Sequence, residues 1–464
     1  MLIFAFIVFE NAKAVEMPDV FSDHMILQRE ATIPVWGSAE NGTKISVSFA
    51  GITKTTTAKD GVWRVQFAPM EANKIPQTMT VSATDGFEKE FKNILIGDVW
   101  FASGQSNMEM HLGGTKAGKK AIAASENPMV RLFKVPHILE EKDWPVGTTW
   151  YEANPQSTPS RSAVGYFFIN ELQQELDIPV GLLDCSYGGT VTETWCSPEV
   201  LSAGYPVWEA FEPMAIKDPN WNKRNTSSYL YNSMIKSVMP FPVKGFIWYQ
   251  GEANAERAEE QKKLFPAMVN DWRKSWGDET LPFYFVQVAR YERANWHAFR
   301  NAQREIAETL PYSYLAVTID LSKDWYQDNH PIHPATKKPI GHRLALAALA
   351  NVYGKDIVYS GPMVKEMTVS SKKAILSFEH IGGGLITLDD KRLRGFYISA
   401  DGEHFVEAVA EIKKNTVVVS DKRVKKPIAV RYAAEDDLGI EGIHVNLGNT
   451  DGLPASPFTI TLKN

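Results

Sequence analysis

Cysteine is nearly absent: the chain has two, Cys185 and Cys196, in 464 residues. A disulfide scaffold is excluded at that density. Cysteine-ligated zinc is excluded too, because two thiols with no histidine nearby make no tetrahedral set. Positive charge is also short. The formal net charge is -6, and the densest basic run, Lys422-Arg423-Val424-Lys425-Lys426, is brief. Nucleic acid is therefore not the expected partner, since a phosphate binder needs a basic stripe. Long apolar runs are missing as well. The N-terminal run Leu2 to Phe9 is too short to span a bilayer as a helix. With Ala12-Lys13-Ala14 behind it, it reads as a secretory signal that lacks the usual basic n-region. Residues 1–16 are accordingly expected to be a signal remnant, the protein secreted or periplasmic, and no membrane span is expected. Repeats and low-complexity linkers are not seen.

What is present is the composition of a globular protein, 44% hydrophobic and 22% charged, in a chain longer than one ordinary core. Residues 17–92 read as β. Val62-Trp-Arg-Val-Gln-Phe67 alternates, and Asp60-Gly61 and Asp85-Gly86 supply hairpin turns. Residues 93–356 change pattern, with strands alternating with helices. Strands are expected at Ile94–Phe101, Val130–Val135, Ile178–Leu183, Gly245–Tyr249, Phe283–Val288 and Tyr314–Ile319. Helices are expected at 163–176, where Val164, Phe167, Phe168 and Leu172 share a face, and at 229–239, 256–272, 298–310 and 338–352. Such alternation predicts a parallel sheet covered on both faces. Residues 357–464 return to β. The expected fold class is therefore α/β: a doubly wound parallel sheet (α/β/α) flanked by N-terminal and C-terminal β-sandwich-like domains.

Ligands bind outside the carboxyl ends of the strands in such sheets, and three strand ends carry chemistry. The first runs into Ser103-Gly-Gln-Ser106-Asn-Met108, where a serine on a tight turn before a helix sits among unpaired backbone N–H groups. The second runs into Gly188-Gly189, where backbone can approach a ligand closely. The third ends in Gln250, a side-chain amide. A serine nucleophile needs a base and donors for the oxyanion. Of ten histidines, His330 and His333 lie in a proline-held loop directly before the last helix, a suitable place for a base.

These motifs, taken together and in this order, resemble the sialate O-acetylesterase-like branch of the SGNH hydrolases. The likeness runs from Pro18-Asp-Val-Phe-Ser-Asp-His-Met-Ile-Leu-Gln28 to Gly452-Leu-Pro-Ala-Ser-Pro-Phe458. It is carried by Gly104-Gln-Ser-Asn-Met108, Ser186-Tyr-Gly-Gly-Thr190, Trp248-Tyr-Gln-Gly-Glu252 and Ile332-His-Pro334. The resemblance implies an O-acetyl ester hydrolase acting on an acetylated sugar without a cofactor or metal. Ser106 would be the nucleophile and His333 the base. The oxyanion hole would come from Ser106, Gly189 (rather than Gly188) and Gln250. Separately, Trp195 and Glu252 are expected to face substrate. The aspartate often found three residues before the histidine is replaced here by His330. Either Asp328 or a backbone carbonyl must then orient His333. Two other readings compete. One is a metal-dependent hydrolase or deacetylase using Asp324, Asp328, His330 and His333; the other is a non-catalytic carbohydrate-binding protein.

Overall fold

The structure, a computed structural model, describes residues 14–137, 147–204, 220–291, 295–321, 332–434 and 445–462. Its centre is a sheet of seven strands. In chain order they are β1 (Glu88–Gly104), β2 (Asn127–Lys134), β3 (Trp150–Ala153), β4 (Val180–Ser186), β5 (Gly245–Tyr249), β6 (Phe283–Val286) and β7 (Ser313–Ala316). The spatial order is β7-β6-β5-β1-β4-β2-β3. All neighbours are parallel except the antiparallel edge pair β2–β3. The central sheet is therefore mixed rather than purely parallel.

The strands alternate between two cores, as the two-residue period of a strand requires. Trp100, Ala102, Leu182, Ile247, Tyr249, Tyr284 and Val286 face one side, against α2 (Ala163–Leu176) and α5 (Lys338–Asn351). Val99, Phe101, Leu183, Phe246, Trp248, Phe283 and Phe285 face the other, against Phe265, Met268, Val269 and Trp272 of α3 (Ala258–Trp276). A fourth helix, α4 (Trp296–Thr309), follows β6, and the short α1 (Ser106–Glu109) follows β1. α2 begins where the sequence places it because Ser162 caps it, its Oγ accepting the Gly165 N–H at 3.1 Å.

Two expectations are revised by the fold. The boundary at residue 92 falls inside β1, which pairs with Asn73–Ala83 in its first half and with β4 and β5 in its second. The N-terminal β region shares a single apolar core with one face of the central sheet. Second, the helix expected over 229–239 is shorter: it is helical over 229–235, with Tyr231–Ile235 in π form, and continues only as turns. Serine hydroxyls compete with its ladder: Ser233 Oγ donates to the Tyr229 carbonyl at 2.9 Å and Ser237 Oγ to that of Met234 at 2.6 Å. Both cysteines are free and buried. Beyond residue 357 lie further antiparallel sheets, two of them four-stranded, whose inward residues Leu376, Phe378, Phe396, Ile398, Val430 and Phe458 share a core. Among the described residues no helix is long and apolar enough to cross a membrane.

Candidate active site

The parallel register sets the site. Ser186 of β4 and Tyr249 of β5 both stand beside Gly104 of β1, so three loops leave the sheet at one level. This is where the order of connections reverses about β1, the crevice in which open α/β sheets bind ligands. Gly104 is forced by geometry: its φ is +129°, and a Cβ there would lie 2.2 Å from the Tyr249 carbonyl oxygen. The next residue, Gln105, donates its N–H to that same carbonyl at 2.9 Å. The chain is thereby turned so that Ser106 becomes the first residue of α1.

Ser106 Oγ lies 2.9 Å from His333 Nε2. Both residues are half-buried. They are 227 positions apart in sequence, so the fold alone brings them together, within the reach a nucleophile and its base require. Ser106 N–H and Gly189 N–H have no acceptor among the described residues. Gly189 adopts φ +70°, and the Trp221 ring comes within 2.4 Å of where its Cβ would be. Gly188, the neighbour at Ser106, has its N–H occupied: it donates to Glu109 Oε2 at 2.6 Å.

Gln250 is at its strand end as expected, but its amide is engaged. Its Nε2 donates to the Thr190 carbonyl at 3.1 Å and to Asn254 Oδ1 at 2.7 Å, and its Oε1 accepts from Thr192 Oγ1 at 2.9 Å. One hydrogen goes to the 190–192 loop and the other to Asn254, and neither is offered to the site. Asp328, Asp324 and His330 lie outside the described residues. Among the described residues no group of three or more His, Cys, Asp or Glu side chains is placed to hold a metal ion.

With this geometry the comparisons become decisive. Residues 96–350 match the family of carbohydrate esterases described as sialic acid-specific acetylesterase. The chain belongs to that family. Sialate O-acetylesterase of Mus musculus is 28% identical over 420 residues, 77% of either chain. That of Homo sapiens is 26% identical over 423 residues, covering 82% of this chain and 79% of its own. A carbohydrate acetylesterase from Xanthomonas citri superposes with a TM-score of 0.86 at 34% identity, covering 96% of this chain and 99% of that one. The chain is thus a serine ester hydrolase with O-acetylesterase activity.

Beside Ser106 the esterase has a wall whose Glu109–His137 pair carries no motif in the sequence. Glu109 Oε1 pairs with His137 Nε2 at 2.8 Å, and the His137 ring stacks on Tyr187 at 3.7 Å between centroids, 5° from parallel. Burial opposes ionisation of Glu109. The His137 hydrogen bond, the Lys134 charge and the Gly188 N–H outweigh it and hold the carboxyl down at about 2. The Arg224 guanidinium lies 5.1 Å over Tyr187 and 4.7 Å over Trp221. Tyr187, Trp221 and Arg224 therefore form an aromatic, cationic rim next to Gly189. Trp195 does not belong to it. It is fully buried, its Nε1 donates to Thr190 Oγ1 at 3.0 Å, and it packs edge-on against Trp248. A ring so enclosed has no face for a sugar, and the expectation of substrate contact there is corrected. Glu252 is likewise buried, 3% exposed.

Proposed function

We propose that this chain removes acetyl groups from a sugar by two-step acyl transfer through Ser106 and His333. The observation that carries the reading is the 2.9 Å contact between Ser106 Oγ and His333 Nε2 at the carboxyl ends of β1, β4 and β5. His333 takes the Ser106 proton as Oγ attacks the acetyl carbonyl. The protonated imidazole then gives that proton to the departing sugar oxygen, leaving acetyl-Ser106. Water, deprotonated by His333, attacks the acyl carbon; acetate leaves and Ser106 regains its proton. The hole for the oxyanion is assigned to the Ser106 and Gly189 N–H groups, whose hydrogens have no acceptor among the described residues. Gln250 could add a third donor only by giving up one of its two present bonds. Asp328 is retained as the candidate partner of His333.

The proposed substrate is an acetylated glycan. Relatives named sialate O-acetylesterase and carbohydrate acetylesterase support that class, and the partly exposed Trp221 ring offers a flat aromatic surface beside the reacting centre. Export, read from residues 1–16, belongs to the same proposal; mass analysis of the mature N terminus checks it. The decisive experiment is acetate release from a panel of acetylated sialic acids and plant glycans by wild type and Ser106→Ala. The variant is expected to fall to background on every substrate. Undiminished hydrolysis by Ser106→Ala would overturn the mechanism.

A further inference from the structure

Beyond the reacting pair, the structure holds a buried bracket of three polar side chains, Asn107, Glu252 and Lys337, with exposures of 0%, 3% and 1%. Asn107 follows the nucleophile directly. Its Nδ2 donates one hydrogen to the carbonyl of Ile332 at 2.9 Å, and Ile332 immediately precedes the base. The other goes to Glu252 Oε1 at 2.5 Å. Its Oδ1 accepts from Lys337 Nζ, whose ammonium also lies 5.3 Å over the Tyr249 ring. The orientation of the amide is fixed by chemistry: an ammonium can only donate and a carbonyl can only accept. All of Asn107's hydrogen-bonding groups thus tie three loops together, those following β1 and β5 and the one preceding α5.

We infer that Asn107, held by Glu252 and Lys337, is the positioning residue that keeps His333 within hydrogen-bond reach of Ser106. The inference rests on the Ser106–His333 reading and deepens it. His333 stands on no strand or helix. A base on a loop keeps its place only if the backbone beside it is tied down, and the Asn107–Ile332 bond ties it to the very turn that carries the nucleophile. Glu252 is costly to bury. Burial raises its pKa, while its own backbone N–H, the Asn107 bond and the Lys337 charge pull it back only in part. Its Oε2 has no hydrogen-bond partner among the described residues. A group kept under such conditions deserves a stated role, and fixing the Asn107 amide is the one the contacts supply.

The test separates positioning from substrate contact and from bulk stability. Asn107→Ala and Glu252→Ala are expected to lose about 100-fold in kcat, the cost of a displacement of about 1 Å at the reacting centre. KM on a small aryl acetate is expected to stay within about twofold, since no substrate-binding group has been removed. Covalent labelling of Ser106 by a fluorophosphonate should slow in parallel. Glu252→Gln keeps an oxygen for the Asn107 amide and should recover kcat to within about tenfold of wild type. Wild-type kcat and labelling rate in folded Asn107→Ala would overturn the inference, as would a loss confined to KM. If Asn107→Ala fails to fold, the Glu252 pair decides, and equal activity of Glu252→Ala and Glu252→Gln refutes it. Ser106→Ala keeps the two readings apart. Activity there sinks the Ser–His mechanism, whereas an inactive Ser106→Ala beside a fully active Asn107→Ala sinks only the bracket.

Discussion

Glu109→Gln probes the wall beside the nucleophile, and its effect can be worked out from the geometry. The carboxyl has an ordinary value of 4.5 and is held at about 2: burial pushes it up, but the His137 hydrogen bond, the Lys134 charge and the Gly188 N–H more than offset that. A depression of this size corresponds to about 3 kcal/mol in favour of the folded state at neutral pH. The unfolded chain takes up the proton near 4.5 and the folded one only near 2. The contribution is therefore complete above the higher value, falls away as pH drops between the two, and is gone below the lower. The side chain is 22% exposed, so solvent screening trims the figure to about 2–3 kcal/mol. Glutamine keeps an oxygen for Gly188 but carries no charge, so it forfeits this pH-dependent part. An unfolding entropy of about 2 cal/mol/K per residue gives about 1 kcal/mol/K over the 464-residue chain. The variant should then melt about 2–3 °C below wild type near pH 7 in scanning calorimetry. The gap should close as the pH is taken down through about 4 and 3. Equal melting temperatures at neutral pH, or a gap that does not change with pH, would refute the account of the Glu109–His137 pair.

Gln250→Ala strands the Thr190 carbonyl, at a cost of about 1–3 kcal/mol, and takes one partner each from Asn254 Oδ1 and Thr192 Oγ1, which keep the Thr192 N–H and the Gln261 amide. Rate and melting temperature should therefore fall together. A loss of about 100- to 1,000-fold in kcat with melting unchanged would instead mark Gln250 as a direct oxyanion donor. Trp221→Ala should raise KM for an acetylated glycan about 3- to 10-fold, the worth of one aromatic contact, and leave a small aryl acetate untouched. Equal effects on both substrates would remove the rim from sugar binding. Gly104→Ala places a Cβ 2.2 Å from the Tyr249 carbonyl oxygen at φ +129°, so it should abolish activity and soluble expression together; a stable, active Gly104→Ala enzyme would refute the reading of that turn.

The central sheet was legible because its code is dense. Where every second residue of β1, β4, β5 and β6 must fill one of two cores, the apolar runs announce themselves, and a 3.6-residue stripe at 163–176 can be nothing but a helix lying on one of them. The N-terminal boundary was not legible, for a reason visible in β1 itself. From Glu88 the strand is exposed on one side, and from Ile94 it is buried on both. A change from alternating to continuous apolar residues looks like a change of domain. It is equally what one strand shows when its first half edges a small antiparallel sheet and its second half enters a covered parallel one. Pattern reports burial, and burial can change along a single element.

The site divides in the same way. Ser106, Gly188, Gly189 and Gln250 could be placed from the sequence because each follows a strand, and parallel strands in register deliver their ends to one edge. What those side chains touch could not be placed. The family resemblance points Gln250 at the oxyanion, yet its hydrogens go to Thr190 and Asn254. Trp195 was assigned to substrate from its type, yet a tryptophan with its N–H satisfied by Thr190 is stable without solvent. The groups given no role, Glu109, Asn107 and Lys337, lie on the four-residue α1 or at the start of α5, and their partners are set by how the segments at the strand ends cross rather than by the period of any strand or helix. Two of them meet Glu252, which the sequence singled out for a different role. The placement of Ser106, Gly189 and Gln250 in this esterase is thus written in strand ends, while the contacts proposed to hold His333 beside Ser106 join segments between them, where one sequence offers no period to read.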